Sequence, residues 1–363
     1  MRIALIELVR KPGRFATAAV ILTLIAVLLM FLGGLLDGLL RASTGAIRAQ
    51  PGDAIVYSDT AQASFPRSRI DADLRAEVEG VEGVAQVGGL GLVQLGARVP
   101  GNGPRDLANV ALFGFELPPA GVPSAPPDGQ VYADVVLEAD GIEEGMTVLL
   151  GPARSPVDVI GFVEDTSFNG QGGMWASTAT WREILTANRP DAQLAPGVFQ
   201  ALVVAGDDGV ADRIDAATGG RTDSYTIDGA VDAVPGVREQ SSTFNQIIGI
   251  TIVIALVVIA LFFALLTVER TGLYGVFKAL GARSSTIFAG LVVQAVVVTL
   301  LAAVIAGAAV IALDLLIPPG SIPLFITAQR ILLSTALLIV AAVIGSAFSL
   351  RRVLQIDPAS AIG

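Results

Sequence analysis

Four stretches of this 363-residue chain carry no charge at all: residues 15–36, 240–268, 284–313 and 331–350, which are 22, 29, 30 and 20 residues long. A bilayer's hydrocarbon core is about 30 Å thick and takes about 20 apolar residues to cross as a helix. Each run is therefore expected to be a transmembrane helix. A composition of 53% hydrophobic and 15% charged residues, with mean hydropathy +0.69, is too apolar for an ordinary soluble domain and agrees. Pro318, Pro319, Gly320 and Pro323 break the chain after the third run, so a turn rather than a fifth helix is expected there.

The fold class that follows is a membrane protein with four transmembrane helices, one plus three, and a large mixed α/β extracytoplasmic domain between the first and second. The expected order is a cytoplasmic amphipathic helix (1–14), span one (15–40), the outer domain (41–244), span two (245–268), a cytoplasmic coupling helix (269–283), span three (284–313), a short outer loop (314–330), span four (331–350) and a cytoplasmic tail (351–363). A cleaved signal peptide is the rival reading of the start, since Arg10, Lys11 and Arg14 precede an apolar run. That run exceeds a usual signal core, and no Ala-x-Ala site follows it.

Orientation comes from the basic residues. Arg2, Arg10, Lys11 and Arg14 precede the first run, Arg270, Lys278 and Arg283 lie between the second and third, and Arg351 and Arg352 follow the fourth. Positive charge near span ends stays on the cytoplasmic side, which puts both termini in the cytoplasm and residues 41–244 outside. The expected location is the plasma membrane of a bacterium, as a multi-pass protein. Arg dominance over the two lysines, Lys11 and Lys278, and the abundance of Ala and Gly suit a high-GC genome.

Charge divides along the same line. Residues 41–244 hold 13 Arg against 28 Asp plus Glu, a balance of −15; the rest holds 10 basic against 5 acidic, or +5, and together they make the net −10. An acidic, lysine-free exterior argues against nucleic acid or an anionic lipid surface as its partner. With no cysteine, no disulfide braces an outer domain that is large enough to have its own core. With no histidine, the commonest zinc, copper and haem ligand is missing, so no metal site is expected and a zinc hydrolase is excluded.

Within the outer domain, strands are expected over residues 53–59, 84–99 and 107–115 and a short helix over 71–79. A Pro- and Gly-rich linker (118–129) precedes short β runs at 131–137, 146–150 and 157–163, as in a small barrel or sandwich. Helices are expected over 178–187 and 208–217. The Gly-rich stretch 166–175, TSFNGQGGMW, lacks the lysine of a phosphate loop. Its Phe168, Met174 and Trp175 either cap the barrel core, the favoured reading, or form an exposed apolar tip.

The turn between spans two and three reads ERTGLYGVFKALGA (269–282), the tail carries Arg351 and Arg352 ahead of Ile356, Asp357, Pro358 and Ala359, and the outer domain contains VYADVVLEADGIEEGMTVLL (131–150). In this topology these segments resemble the FtsX-like and MacB-like permeases of the type VII ABC transporter superfamily. Family members carry a segment similar to E-R-x-x-E-x-x-x-x-K-A-L-G-A after the second span and a closing D-P-x-x-A. Here Gly272 or Leu273 stands where an acidic residue is common. The length, the single outer domain and VYSDTAQASFPRSRI (56–70) are nearest to the haem-exporting members.

The resemblance implies a homodimer working with a cytoplasmic ABC ATPase that docks on Glu269, Arg270, Lys278, Ala279, Leu280 and Gly281. Closure beneath the membrane would be transmitted along spans one and two to the outer domains, the mechanism called mechanotransmission. The residues support a separate ATPase independently: a phosphate-binding loop needs Gly-Lys-Ser or Gly-Lys-Thr, whereas Lys11 is followed by Pro12 and Lys278 by Ala279. The chain itself is thus expected to be no enzyme and to bind no cofactor, ATP and Mg belonging to the partner. A catalytic pair within the spans is also lacking.

Candidate substrate-entrance residues at the outer ends of spans one and two are Met30, Phe31, Asp37, Arg41, Phe244 and Gln246, with Ser242 beside them. An i, i+4 pair between Asp37 and Arg41 is the plainer reading of those two charges. For haem, iron ligands would be sought at Met30, Tyr57 or Asp37, although Met30 reads first as a gap filler. Gly34 and Gly38 form a small-xxx-small pair suited to close helix contact in a dimer. The expected function is export, or extraction from the outer leaflet of membrane lipid, of an amphiphile, haem first. The alternatives are an exporter of lipid, peptide or drug, and an FtsX-like signal transmitter controlling an envelope hydrolase.

Overall fold

The computed structural model describes residues 12–103, 105–269, 272, 275–276, 280–317 and 322–354. The helix expected over 1–14 lies almost wholly outside them, as do the D-P-x-x-A tail and Arg270, Lys278 and Ala279 of the turn. Along the chain come α1 (Pro12–Arg48), β1 (Ala54–Ser58), α2 (Ala72–Glu79), β2 (Val84–Arg98), β3 (Leu107–Phe115) and β4 (Gln130–Asp134). There follow β5 (Thr147–Leu150), β6 (Ser155–Val163), β7 (Gly172–Ser177), α3 (Thr178–Asn188), β8 (Ala201–Gly206), α4 (Val210–Ala217) and β9 (Thr222–Thr226). Last are α5 (Ile227–Ala233), α6 (Val237–Glu269), α7 (Ser284–Leu316) and α8 (Ala328–Leu354). The chain divides into two compact units, Met1–Gly38 with Ser242–Pro318 and Leu324–Gly363, and Leu39–Ser241 with Pro319–Pro323.

The first unit holds the apolar helices. Among the described residues, four segments are long and apolar enough to cross a membrane: Phe15–Arg48, Val237–Glu269, Ser284–Leu316 and Ala328–Ala347. They pack through two clusters. Phe15 and Leu22 of α1 meet Phe263 of α6, Ala295 and Val298 of α7, and Ala342 of α8. Farther along α1, Ala26 and Met30 meet Ala255, Ala306 and Leu338. Small residues at these contacts let backbones approach closely, the usual source of cohesion where lipid removes the hydrophobic drive between helices. The opposite faces stay apolar and exposed, with Leu24, Val253, Leu261, Val304 and Leu332 each at least half accessible, as a lipid-facing surface requires.

Gly34 turns that close approach inward. Its carbonyl accepts from the Phe325 amide at 3.0 Å, and a Cβ there would stand 2.2 Å from Ile326 Cδ1. At Gly34, one member of the small-residue pair, the close approach is made by residues 324–326 of the same chain.

The second unit is built on one nine-stranded sheet in the order β3-β7-β4-β6-β5-β2-β8-β1-β9, with a further pairing between β3 and β2. That extra pairing returns the first six strands to their start and closes a barrel. The 15-residue β2 belongs to both halves: Val84–Leu90 runs antiparallel to β8, and Leu90–Arg98 antiparallel to β3. β3–β7 and β4–β6 are parallel, the other pairings antiparallel. Alternating side chains such as Val93, Leu95, Val110, Leu112, Val148 and Val159 join one buried core with α2, α3 and α4, the period-2 burial that a pleated strand imposes.

Two glycines show how tightly this core is fitted. Gly91 and Gly114 are cross-strand partners, and a Cβ on either would meet Trp181, at 2.0 Å and 2.4 Å respectively. Only bare backbone at both positions admits the indole, which stacks on Phe199 at 6.2 Å.

Most expected elements match within a few residues, and the differences are local; the short helix α5 was not expected. The strand expected over 131–137 ends at Asp134, where the carboxylate caps a 3-10 turn, Val135–Asp140, by accepting from the Val136 amide. The glycine-rich stretch is a loop only through its first half, since β7 begins at Gly172; Met174 and Trp175 are fully buried, with Phe168 nearly so, as the favoured core-capping reading expects. Strands β8 and β9 were not expected; β8 is buried over its first four residues and so lacks an alternating pattern.

Candidate functional site

The end of α1 is fastened to the loop 165–170 by ion pairs and backbone hydrogen bonds. The chain for this begins at Asp134, a buried carboxylate that accepts from the Thr166 amide at 2.7 Å, Thr166 Oγ1 at 2.9 Å and Ser167 Oγ at 3.1 Å, besides the Val136 amide. Four donors satisfy a charge that would otherwise be costly to bury, and they fix the loop 165–170. Asp165 sits there at φ +57, a left-handed conformation that Asp tolerates better than most residues. Its carboxylate faces α1, with Arg48 Nη2 at 2.8 Å and Arg41 Nη2 at 3.2 Å.

Backbone contacts tighten the joint. Ala46 N donates to Ser167 O at 3.0 Å, Asn169 N to Ser43 O at 3.1 Å and Gly170 N to Ala42 O at 2.9 Å. Gly45 permits the approach, since a Cβ there would lie 2.6 Å from the Asp165 carbonyl oxygen. Ala46 and Ile47 are fully buried against Phe65, Phe113, Phe168 and Trp175, and Phe113 stacks on Trp175 at 4.6 Å.

The charges expected to pair with each other do not. Arg41 goes to Asp165, while Asp37 accepts from Arg330 of α8, from Nε at 2.8 Å and from Nη2 on its other oxygen. An i, i+4 pair on one helix is a weak exposed contact; a two-pronged guanidinium fork on a partly enclosed carboxylate is stronger and more directional. Gly33 makes room for it, because a Cβ there would lie 2.5 Å from Arg330 Cδ.

Of the remaining entrance candidates, Met30 is fully buried in the helix cluster with Ala26, Ala255 and Ala306. Phe31 and Phe244 are half-buried, and Gln246 is exposed and donates to Ser242 Oγ at 3.2 Å. Tyr57 is buried against Phe65. In the coupling segment, Glu269 ends α6, Leu280 is 80% exposed and Gly281 takes φ +88 three residues before α7 starts. A left-handed glycine there breaks the helix direction at no steric cost. The residues missed by sequence reading are Arg48, Asp134, Asp165 and Arg330.

Residues 245–358 match the family FtsX-like permease C-terminal. The chain is 24% identical over 132 residues to a protein of Staphylococcus haemolyticus carrying the name hemin transport system permease protein HrtB, covering 36% of this chain and 37% of that one. It is 39% identical over 150 residues to an uncharacterised ABC transporter permease of Mycobacterium tuberculosis, covering 39% of this chain and 41% of that one. The match thus spans about two fifths of the length of these curated relatives. Among solved structures, the periplasmic region of MacB from Actinobacillus actinomycetemcomitans aligns at 12% identity and TM-score 0.34, over 50% of this chain and 92% of that one. The extracellular domain of the ABC-type transporter YknZ from Gram-positive bacteria aligns at 14% identity and TM-score 0.31, over 48% and 100%. Over residues 245–358, from its second apolar helix through its fourth, the chain is similar to the FtsX-like permease C-terminal family.

Proposed function

We propose that the chain is the permease subunit of an ABC exporter working by mechanotransmission in a bacterial plasma membrane, with both termini in the cytoplasm. The observation that carries this reading is α1. It is one unbroken helix of 37 residues, about 55 Å long at 1.5 Å per residue, against a hydrocarbon core of about 30 Å. Its surplus length ends in the fastening built by Asp165, Gly45 and the loop 165–170. A rod held at its outer end moves what it is fastened to, and it does so without polar residues lining a path through the bilayer.

ATP hydrolysis belongs to a separate cytoplasmic ATPase docking on the segment 269–283, where Leu280 projects as an exposed apolar residue. Two copies of the chain pair in this reading, and the substrate is an amphiphile taken from the outer leaflet or from outside. Haem is the first candidate, supported by the relative named as a hemin permease. The test is to purify the tagged chain gently from its native membranes and measure ATP turnover by what accompanies it, with and without haem. Turnover that rises with haem and is lost together with the ATPase in Leu280→Glu supports the reading. Turnover indifferent to haem retains the permease and removes that substrate. A companion ATPase with no transport of any amphiphile, but with an envelope hydrolase bound outside, replaces export by signalling.

A further inference from the structure

The outer domain is strongly acidic, yet it contains a groove of about 890 Å³ lined by Arg98, Arg154 and Arg189 and by no Asp or Glu. Of the 13 arginines in residues 41–244, eight are held, Arg41, Arg48, Arg75 and Arg221 by carboxylates, Arg67 by Gln62, and Arg69, Arg182 and Arg213 by backbone carbonyls; Arg105 and Arg238 lie outside the groove and, among the described residues, have no such partner. Among the described residues, the three in the groove have neither an ion pair nor a side-chain hydrogen bond. In a domain where carboxylates outnumber arginines two to one, three of the five arginines without such a partner gather in one concavity that no carboxylate lines.

Register places the groups together. On the outer face of the barrel Arg98 stands opposite Leu107 of β3 and Leu149 of β5, while Gly96 opposes Asn109. Gly96 leaves the floor bare beside the Asn109 amide, a further donor. The wall is held by Asn188, the last residue of α3. Its Oδ1 accepts from the Ala153 amide at 2.9 Å, and its Nδ2 donates to Ser155 Oγ and to Ile184 O, each at 3.0 Å.

Gly151 must be glycine for this contact: it takes φ +67, and a Cβ would stand 2.2 Å from Asn188 Oδ1. Arg154 then emerges at φ +55, a conformation that a long side chain seldom adopts. One asparagine therefore sets the loop carrying Arg154 and directly precedes Arg189.

We infer that this groove binds an oxyanion, a phosphate or carboxylate group, carried by a ligand outside the membrane. Planar guanidinium forks match both groups two-pronged, and the size suits a small molecule or headgroup. Leu107, 46% exposed at the rim, offers apolar contact to the rest of the ligand. The inference does not depend on the transport reading, because it concerns binding alone.

The test uses the full chain in phosphatidylcholine nanodiscs, titrated calorimetrically with inorganic pyrophosphate and with citrate. Binding of either at one site per chain, weakened about tenfold by Arg98→Gln and again by Arg189→Gln, is expected from the loss of one charge-assisted hydrogen bond at each step. Arg67→Gln, outside the groove, should leave affinity unchanged and report nonspecific charge effects. Nanodiscs containing phosphatidylglycerol separate the sources. Groove residues protected from hydrogen exchange by that lipid, in wild type but not in Arg98→Gln, assign a lipid headgroup; no such protection alongside pyrophosphate or citrate binding assigns a soluble ligand. Failure of all three probes to bind, or binding equal in wild type and the arginine variants, overturns the inference.

Discussion

Arg330 grips Asp37 across 293 positions of sequence, donating from Nε to Oδ2 at 2.8 Å and from Nη2 to Oδ1. The two side chains are 20% and 24% accessible, so the pair is neither freely solvated nor sealed. Removing one partner at such depth leaves a charge with no counterpart, costing about 2 kcal/mol, within the range for a charged hydrogen bond and below that for a fully buried broken pair. Asp37→Asn and Arg330→Gln should each lower stability by about that amount. The double variant should fall well short of their sum, by about 1 kcal/mol or more, in unfolding measured in detergent micelles. Additive losses would show that the pair is geometric coincidence.

Gly45 makes a sharper test of the α1 fastening. An added methyl would meet backbone, the Asp165 carbonyl oxygen at 2.6 Å, and no rotamer change relieves that overlap. Gly45→Ala improves helix propensity by about 1 kcal/mol, so any net loss must come from the joint. Overpacking of this kind costs about 1–3 kcal/mol. Hydrogen exchange should accelerate in residues 40–48 and 165–170 while the barrel strands keep their protection.

These two sites mark how much was legible beforehand. Four uncharged runs fixed the spans, because nothing but a bilayer rewards them, and strands such as β3 announced themselves by alternation bounded by turn residues. Asp37 and Arg330 were both visible as the charges flanking apolar runs at the same face of the membrane, and Arg330 is the lone charge between residues 315 and 350. Sequence reasoning stopped at the nearer partner, Arg41, since a pair on one helix needs no knowledge of packing. Asp165 was out of reach for a different reason. Its role depends on a positive φ, on Asp134 far upstream and on a bare Gly45, and none of these leaves a local pattern. The stretch ending in Trp175 misled because glycine usually marks loops; here Gly172 and Gly173 leave room for Leu137 and the Thr166 carbonyl against a buried strand.

Alkaline pH should weaken the outer domain. Burial, then the hydrogen bond to Asp223 at 2.7 Å, then the Asp223 and Asp215 charges push the Tyr225 hydroxyl up to about 12, against slight relief from Arg238. Burial and the neighbouring Tyr225 drive Tyr57 in the same direction, well above the ordinary tyrosine range. An unfolded tyrosine ionises near pH 10, so between about pH 10 and 12 the folded chain holds more protons than the unfolded one. Their stabilisation is complete below pH 10 and disappears as pH rises through that window. Stability measured across it should fall more gently in Tyr225→Phe than in wild type. Phenolate absorbance should show Tyr225 ionising earlier in Asp223→Asn.

Asp165→Asn separates holding from driving. The amide keeps the size of the carboxylate and its tolerance for a left-handed backbone, and it leaves the Asp134 contacts to Thr166 and Ser167 intact, so the loop should persist. What it removes is the charge facing both Arg41 and Arg48. These groups are partly exposed, at 39% and 35% against 28% for Asp165, so the loss in stability should be small, about 1 kcal/mol. The functional loss should be larger. If α1 passes displacement outward through this joint, a loosened end lets the ATPase turn over without moving the outer domain. In reconstituted vesicles, ATP hydrolysis by the variant complex should remain near wild type while amphiphile export drops severalfold. Equal losses of hydrolysis and export would instead place the defect in assembly with the ATPase, and unchanged export would show that the ion pairs are not part of the transmission.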